Sequence, residues 1–171
     1  MQAARLLDRE EIEFWLIGEN HLEDPVLKDL LSNSNPERVK FYPWMPPQEL
    51  RTKIGDADVC LGVFGTSCKA KRVIPGKAFL ALAMGKPLIT GDSMAARELL
   101  EDGKNAILCE MGSCRALVDA ILRLQRDPLL RRRIGTEGRK LFQNECRPKV
   151  LGSSLADLIE KTVSRKQMEG Q

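Results

Sequence analysis

The chain predicts an α/β domain built on a doubly wound parallel sheet, and three features of its pattern carry that expectation. Short apolar runs of strand length alternate with helix-length stretches from Ile12 to Cys109. That order sets strands parallel, with helices covering both faces. The runs are nearly continuous in apolar residues, as in IEFWLI (12–17) and VCLGV (59–63), which fits strands buried on both sides. From Ser113 onward the pattern is helical only, so helices close the domain.

Taken in order, Ala3, Ala4, Leu6 and Leu7 read as the tail of an amphipathic helix. Five strands follow at 12–17, 39–42, 59–63, 87–90 and 106–109. Between the first two, Asp24 caps a helix with Pro25 in its first turn and Val26, Leu27, Leu30 and Leu31 on one face. Ser32–Pro36 is a loop. Pro43–Pro47 (PWMPP) is a rigid turn ahead of a short helix, Gln48–Ile54. Pro75 opens a further helix, where its missing N–H is no loss. Gly85 and Pro87 stop it. Ala78–Met84 is apolar all round, so this helix is expected to be covered on more than one face. Ser93 caps a helix reaching about Leu100. Leu117, Ile121 and Leu124 share one helical face, and Asp127-Pro128 ends that helix and starts the next. Pro148 opens a last helix with Leu151, Leu155, Leu158, Ile159 and Val163 on one side. Residues 1–165 form one domain and 166–171 a polar tail.

Composition narrows the classes of function. At 171 residues the chain is one domain or one lobe of a larger protein. Twenty-seven basic against twenty-four acidic residues do not make the clustered basic face that nucleic acid demands. The five cysteines are scattered without a CxxC pair, and His21 is the sole histidine. A metal site is therefore not expected. Unpatterned thiols fit a reducing, cytoplasmic setting. No run is long enough to span a membrane and no signal-peptide pattern opens the sequence, which leaves only peripheral membrane contact open.

In an open doubly wound sheet, ligands bind beyond the carboxyl ends of the strands. The candidate loops are Gly18–Asn20, Pro43–Met45, Phe64–Gly76, Thr90–Ser93 and Glu110–Ser113. The third is the longest and the basic one. It feeds the amino end of the Pro75 helix, where free N–H groups and the positive dipole end favour phosphate. Lys69, Lys71, Arg72 and Lys77 supply charge there, or else form a solvated loop. His21 has no carboxylate or nucleophile in register with it, so a hydrolase triad is not expected. There is no GxGxxG, and Gly65-Thr66-Ser67 does not complete a P-loop. Trp44, held between prolines, is either one wall of a slot for a flat base or an anchor packed on the sheet. No residue is assigned as a catalytic acid or base.

From Val39 to about Phe142 the sequence resembles the carboxy-terminal, nucleotide-sugar-binding half of GT-B-fold "group 1" glycosyltransferases. VKFYPWMPPQELRTKIGDADVCL is similar to the strand–turn–helix–strand before the donor loop. ALAMGKPLITGD matches the family's helix–GKP–strand, and ELLEDGKNAIL its E-L-x-x-D-G segment. Leu117–Gly138, with DPLLRRRIG at its centre, resembles the paired helices that close the domain.

The resemblance implies a Rossmann-like domain facing a second one across a cleft and binding a nucleotide-diphospho-sugar as donor, with no cofactor and no metal. It places the diphosphate at Pro75, Gly76, Lys77 and Ala78, with Lys69 and Arg72 nearby. The sugar falls beside Gly65 and Thr66, and the base at Pro43, Trp44 and Met45. It implies a retaining enzyme that moves a hexose-type sugar to a hydroxyl acceptor. The alternatives are a sugar-nucleotide epimerase of the same fold and a non-catalytic sugar-nucleotide-binding or scaffold domain. Two departures stand out. The family's paired glutamates, eight positions apart, are Arg72 and Leu80 here. The opening strand, glycine-arginine turn and lysine are also missing, so the chain reads as amino-terminally truncated. On that reading its partner is an acceptor domain of the same polypeptide, and alone it is inactive.

Overall fold

In the computed structural model, residues 2–18, 28, 32 and 38–169 are described. Most of the expected helix at Asp24–Leu31, most of the Ser32–Pro36 loop and His21 lie outside them. Helix α1 (Gln2–Leu6) buries Ala3 and Ala4, with Leu7 just beyond it. Strand β1 (Phe14–Ile17) pairs in parallel with β2 (Val39–Tyr42), Phe14 opposite Val39 and Ile17 opposite Tyr42. Helix α2 (Pro47–Asp56) begins on a proline at its first position and leads to β3 (Cys60–Leu61). A short helix α3 (Cys68–Lys71) and the longer α4 (Gly76–Ala83) precede β4 (Leu88–Gly91). Helix α5 (Met94–Arg97) and β5 (Ile107–Cys109) complete the α/β part. Helices α6 (Cys114–Arg126) and α7 (Pro128–Leu141), a π-turn at Phe142–Cys146 and α8 (Pro148–Glu169) close the chain.

The caps explain these boundaries. Ser67, Ser93 and Ser113 each accept a hydrogen bond from the backbone N–H three residues on, and Asp127 does the same for Leu130. Each satisfies an otherwise orphaned donor of a first helical turn. Helix α4 ends in a paired closing turn. Gly85 sits at φ +68°, its N–H donates to Leu82 O, and Lys86 N–H reaches back to Ala81 O. That geometry needs a residue free to adopt positive φ. Helix α7 seats against this turn so closely that a Cβ on Gly135 would stand 2.3 Å from Gly85 O.

All strand pairs are parallel, as the α/β pattern requires, and β3–β4–β5 form one sheet in that order. Its two faces carry two cores. Ile89 and Ile107 pack with Val118, Leu124, Leu130 and Ile134 from α6 and α7. Leu88 packs with Ala78, Ala81 and Leu82 of α4 and with Leu100. The doubly wound arrangement is therefore complete around β4.

Several expectations need correction. The five strands form two sheets, because β1 and β2 pair only with each other among the described residues. Between β1 and β3 lies a cavity of about 1010 Å³. Strand β3 pairs over Cys60–Leu61 and not over 59–63, and among the described residues its outer edge has no partner strand. Helix α4 is consequently covered less than its apolar sequence suggests: Leu80 is 43% exposed and lines the cavity. The helix after Ser93 stops at Arg97, with Leu99 and Leu100 in irregular chain. Helix α3 occupies part of what reads as a loop, and α8 runs on to Glu169. Its apolar side, Leu151, Leu155, Leu158, Ile159 and Val163, is exposed.

Candidate functional site

The carboxyl ends of β3, β4 and β5 meet in a tightly joined set of loops. Thr90, buried in β4, accepts the Val63 N–H through its hydroxyl oxygen at 3.2 Å. Gly91 N–H donates to Val63 O at 2.8 Å, and Asp92 N–H to Cys109 O at 2.7 Å. The Asp92 carboxylate receives Arg97 through Nε at 2.5 Å and a terminal nitrogen at 2.6 Å. That bidentate bond holds the Asp92 pKa below its ordinary value. The Cys109 thiol is pushed the other way, to about 11, by burial and then by the charges of Asp102 and Asp92.

The basic loop leaves this junction and turns into α4. Gly65, Thr66, Lys69, Lys71 and Arg72 are exposed along it, and Ser67 fixes the one turn of helix between them. Pro75 caps α4 without a side-chain bond, and Ala78 N–H folds back onto Pro75 O at 2.9 Å. The N–H groups of Gly76 and Lys77 make no bond with the described residues, and so remain available to an anion at the positive end of the helix. The Lys77 side chain keeps an exposed surface, yet enough protein surrounds it that desolvation lowers its pKa. A phosphate beside it would favour the charged form and oppose that lowering.

The cavity brings together only part of the expected site. Trp44, Met45 and Lys77 line it, as does Leu80. Trp44 is 67% exposed, so it is not an anchor packed on the sheet. Pro43, Gly65, Thr66, Lys69, Arg72, Pro75, Gly76 and Ala78 do not line this cavity. Arg72 follows α3 at its end, its N–H bonded to Lys69 O.

Two features had no reading in the sequence. Lys53 of α2 extends over both Tyr42 and Trp15, 4.1 and 4.6 Å from their ring centres. The rings stand edge to face at 5.9 Å, and Trp15 also donates to Glu13, which pairs with Lys40. Only the β1–β2 register creates that cluster. The second is Gly112, at φ +78°, which lies directly beneath Thr66. The Glu110–Ser113 loop was a candidate, but its contact with another loop leaves no mark in local pattern. Among the described residues no group of three or more His, Cys, Asp and Glu side chains could hold a metal ion, and no helix is long and apolar enough to cross a membrane.

A sequence profile described as "Glycosyl transferases group 1" matches residues 1–127. The amylovoran biosynthesis glycosyltransferase AmsK of Erwinia amylovora is 23% identical over 164 residues, which are 94% of this chain and 40% of that protein. The chain thus spans two fifths of that relative's length. The structure of Anabaena HepE in complex with UDP-glucose matches with a TM-score of 0.75 at 18% identity, over 89% of this chain and 42% of that one. The C-terminal domain of a glycosyl transferase group 1 family protein (LpcC) from Francisella tularensis matches with a TM-score of 0.59 at 14% identity, over 85% of this chain and 93% of that one. These two likenesses are likenesses of fold.

Proposed function

The chain belongs to the group 1 glycosyl transferases, and from that premise we propose that it is the half that holds a nucleotide-diphospho-sugar donor. The observation that carries the reading is that Lys77, from the first turn of α4, lines the same cavity as Trp44 and Met45. An anion-binding helix end and an exposed indole thus border one space, as a ligand with a diphosphate and a flat base requires. The diphosphate is proposed to lie on the Gly76 and Lys77 N–H groups with the Lys77 ammonium. Lys69 and Arg72 add positive potential from the loop, and Gly65 and Thr66 border the sugar. Charge gathering on the leaving diphosphate would be stabilised by these fixed donors without a metal ion. The proposed reaction moves a hexose-type sugar to a hydroxyl with retention of anomeric configuration. Acceptor site and general base are assigned to the remainder of a longer cytoplasmic enzyme, so this chain alone is proposed to be inactive. A binding-only role is the second reading, favoured by the exposed apolar Leu80 on the cavity wall.

Thermal unfolding with UDP-, GDP- and ADP-sugars tests the reading, because a ligand bound only by the folded state raises the melting temperature. One nucleotide class is expected to stabilise the chain, and Lys77→Ala to abolish the shift. No shift with any of them would remove the donor-site reading.

The same proposal accounts for the cavity. Phe14 N–H donates to Arg38 O at 2.7 Å and Gly18 N–H to Tyr42 O at 3.2 Å. The alternation of a parallel ladder therefore turns the peptide groups of Trp15 and Ile17 to the free edge of β1. Cys60 and Gly62 donate to Pro87 O and Ile89 O, each at 2.8 Å, which turns Val59 and Leu61 to the free edge of β3. Both edges line the cavity. We assign the part of it between these two edges to a central strand carried by polypeptide ahead of α1, because the other edge of β1 is already taken by β2, and leave the part beside Trp44, Met45 and Lys77 to the donor. An apolar strand of about five residues, roughly 17 Å long, fused ahead of Gln2 should slow amide exchange at Trp15, Ile17, Val59 and Leu61. The same fusion interrupted by prolines should not. Equal exchange in both would refute the assignment.

A further inference from the structure

The loop that carries Gly65 and Thr66 rests on a turn from a different part of the chain. Gly112 N–H donates to Phe64 O at 2.8 Å. A Cβ added at Gly112 would stand 2.7 Å from Thr66 Cγ2, closer than real Cβ atoms come. The neighbouring Met111 is as tightly engaged, since a Cβ on Gly91 would stand 2.8 Å from its Cγ and 2.7 Å from Val63 O. Gly112 also holds φ +78°, a conformation that favours glycine. The hydrogen bond fixes the height of the loop at Phe64, and the missing side chain lets Thr66 sit down on the turn. Both of these residues lie at the carboxyl ends of strands, β3 and β5, where an open parallel sheet presents ligand-binding loops.

We infer that the Met111-Gly112 turn positions Thr66, and that Gly112 sets the shape of the subsite for the sugar part of the donor. The inference rests on the donor-site reading above, because it takes Gly65 and Thr66 to border the sugar. Gly112 is a positioning residue: it acts through Thr66 and touches no donor atom. A methyl group at position 112 lifts the Thr66 side chain and the loop with it. The phosphate-binding end of α4 lies beyond the Ser67-capped turn of α3 and is closed by the bond from Ala78 N–H to Pro75 O at 2.9 Å, so it stays in place. Sugar recognition and nucleotide recognition should therefore separate.

The test measures UDP-glucose and UDP binding to the chain by calorimetry. Gly112→Ala is expected to weaken UDP-glucose about tenfold while leaving UDP within about twofold. Thr66→Ser removes Cγ2 and keeps the hydroxyl, so the double variant Gly112→Ala with Thr66→Ser should recover most of the lost UDP-glucose affinity. Should Gly112→Ala reduce the folded fraction, Gly112→Asn brings the same Cβ with better tolerance of positive φ and carries the same expectation. Equal weakening of UDP and UDP-glucose, no weakening of either, or a loss that Thr66→Ser does not repair would overturn the inference. Failure of the unmodified chain to bind UDP at all would instead count against the donor-site reading.

Discussion

Strands β4 and β1 are both four residues long, yet Leu88–Gly91 are all buried whereas Phe14–Ile17 are all only half-buried. By composition β1, with the sequence FWLI, is the more hydrophobic. The difference lies in what surrounds them. Strand β4 has a parallel neighbour on each edge and a core cluster on each face. Strand β1 has β2 on one edge and a cavity on the other. Burial in a sheet is conferred by neighbours, and the intrinsic hydrophobicity of a strand states only how much it has to gain. The side where β1 and β3 have unpaired edges among the described residues is also the side where Trp44, Lys77 and Leu80 line one cavity.

The largest expected effect breaks the well-packed side. Leu124 and Ile134 are completely buried against the β4–β5 sheet, so Leu124→Ala should cost about 3 kcal/mol in urea unfolding. Leu16→Ala in half-buried β1 should cost only about 1 kcal/mol, because less apolar area leaves water there. Comparable losses would mean that the two sheets are equally well packed. On the open side, Lys53→Ala should cost about 1 kcal/mol through lost contact with two ring faces. That loss should shrink when Tyr42→Leu is already present, as a double-mutant cycle would reveal.

How much of this was legible in the sequence depends on the range of the interactions involved. Gly85 and Pro87 announced the end of α4, and Ser93 and Asp127 announced helix starts, because capping is settled within three or four residues. The order of strands and helices was legible for the same reason. The splitting of five strands into two sheets was not, since pairing is decided by chain brought from elsewhere. Helix α3 escaped because CKAK has no apolar period, although Ser67 gave a capping signal. In the candidate site, the basic loop and the proline-flanked tryptophan could be named in advance. That Lys77 and Trp44 share a cavity while Lys69 and Arg72 stand away from it could not. Gly112 shows the limit most plainly, because the side chain it lies against, Thr66, is 46 residues earlier by the chain numbering.

A much weaker loss is expected at the junction of β4 and α5. The Asp92 carboxyl is held below its unfolded value of 3.8 mainly by Arg97. A depressed carboxyl contributes stability above the unfolded pKa and loses it as pH falls through the folded one. Arg97 is exposed and Asp92 only half-buried, so solvent screens the pair and Asp92→Asn should cost at most about 0.5 kcal/mol at neutral pH. The difference should vanish well below pH 3.8, where the native carboxyl is itself protonated.

The central claim is that one cavity edge binds both the diphosphate and the base of a nucleotide-sugar. Its most direct test is calorimetric titration of UDP-glucose into the chain carrying the fused strand ahead of Gln2, alongside Lys77→Ala, Trp44→Ala and the distant control Lys104→Ala. Saturable binding is predicted, weakened at least about tenfold by each of the first two changes, a loss of roughly 1.4 kcal/mol, and left intact by the third. No binding, or binding that ignores both Lys77 and Trp44, would contradict it.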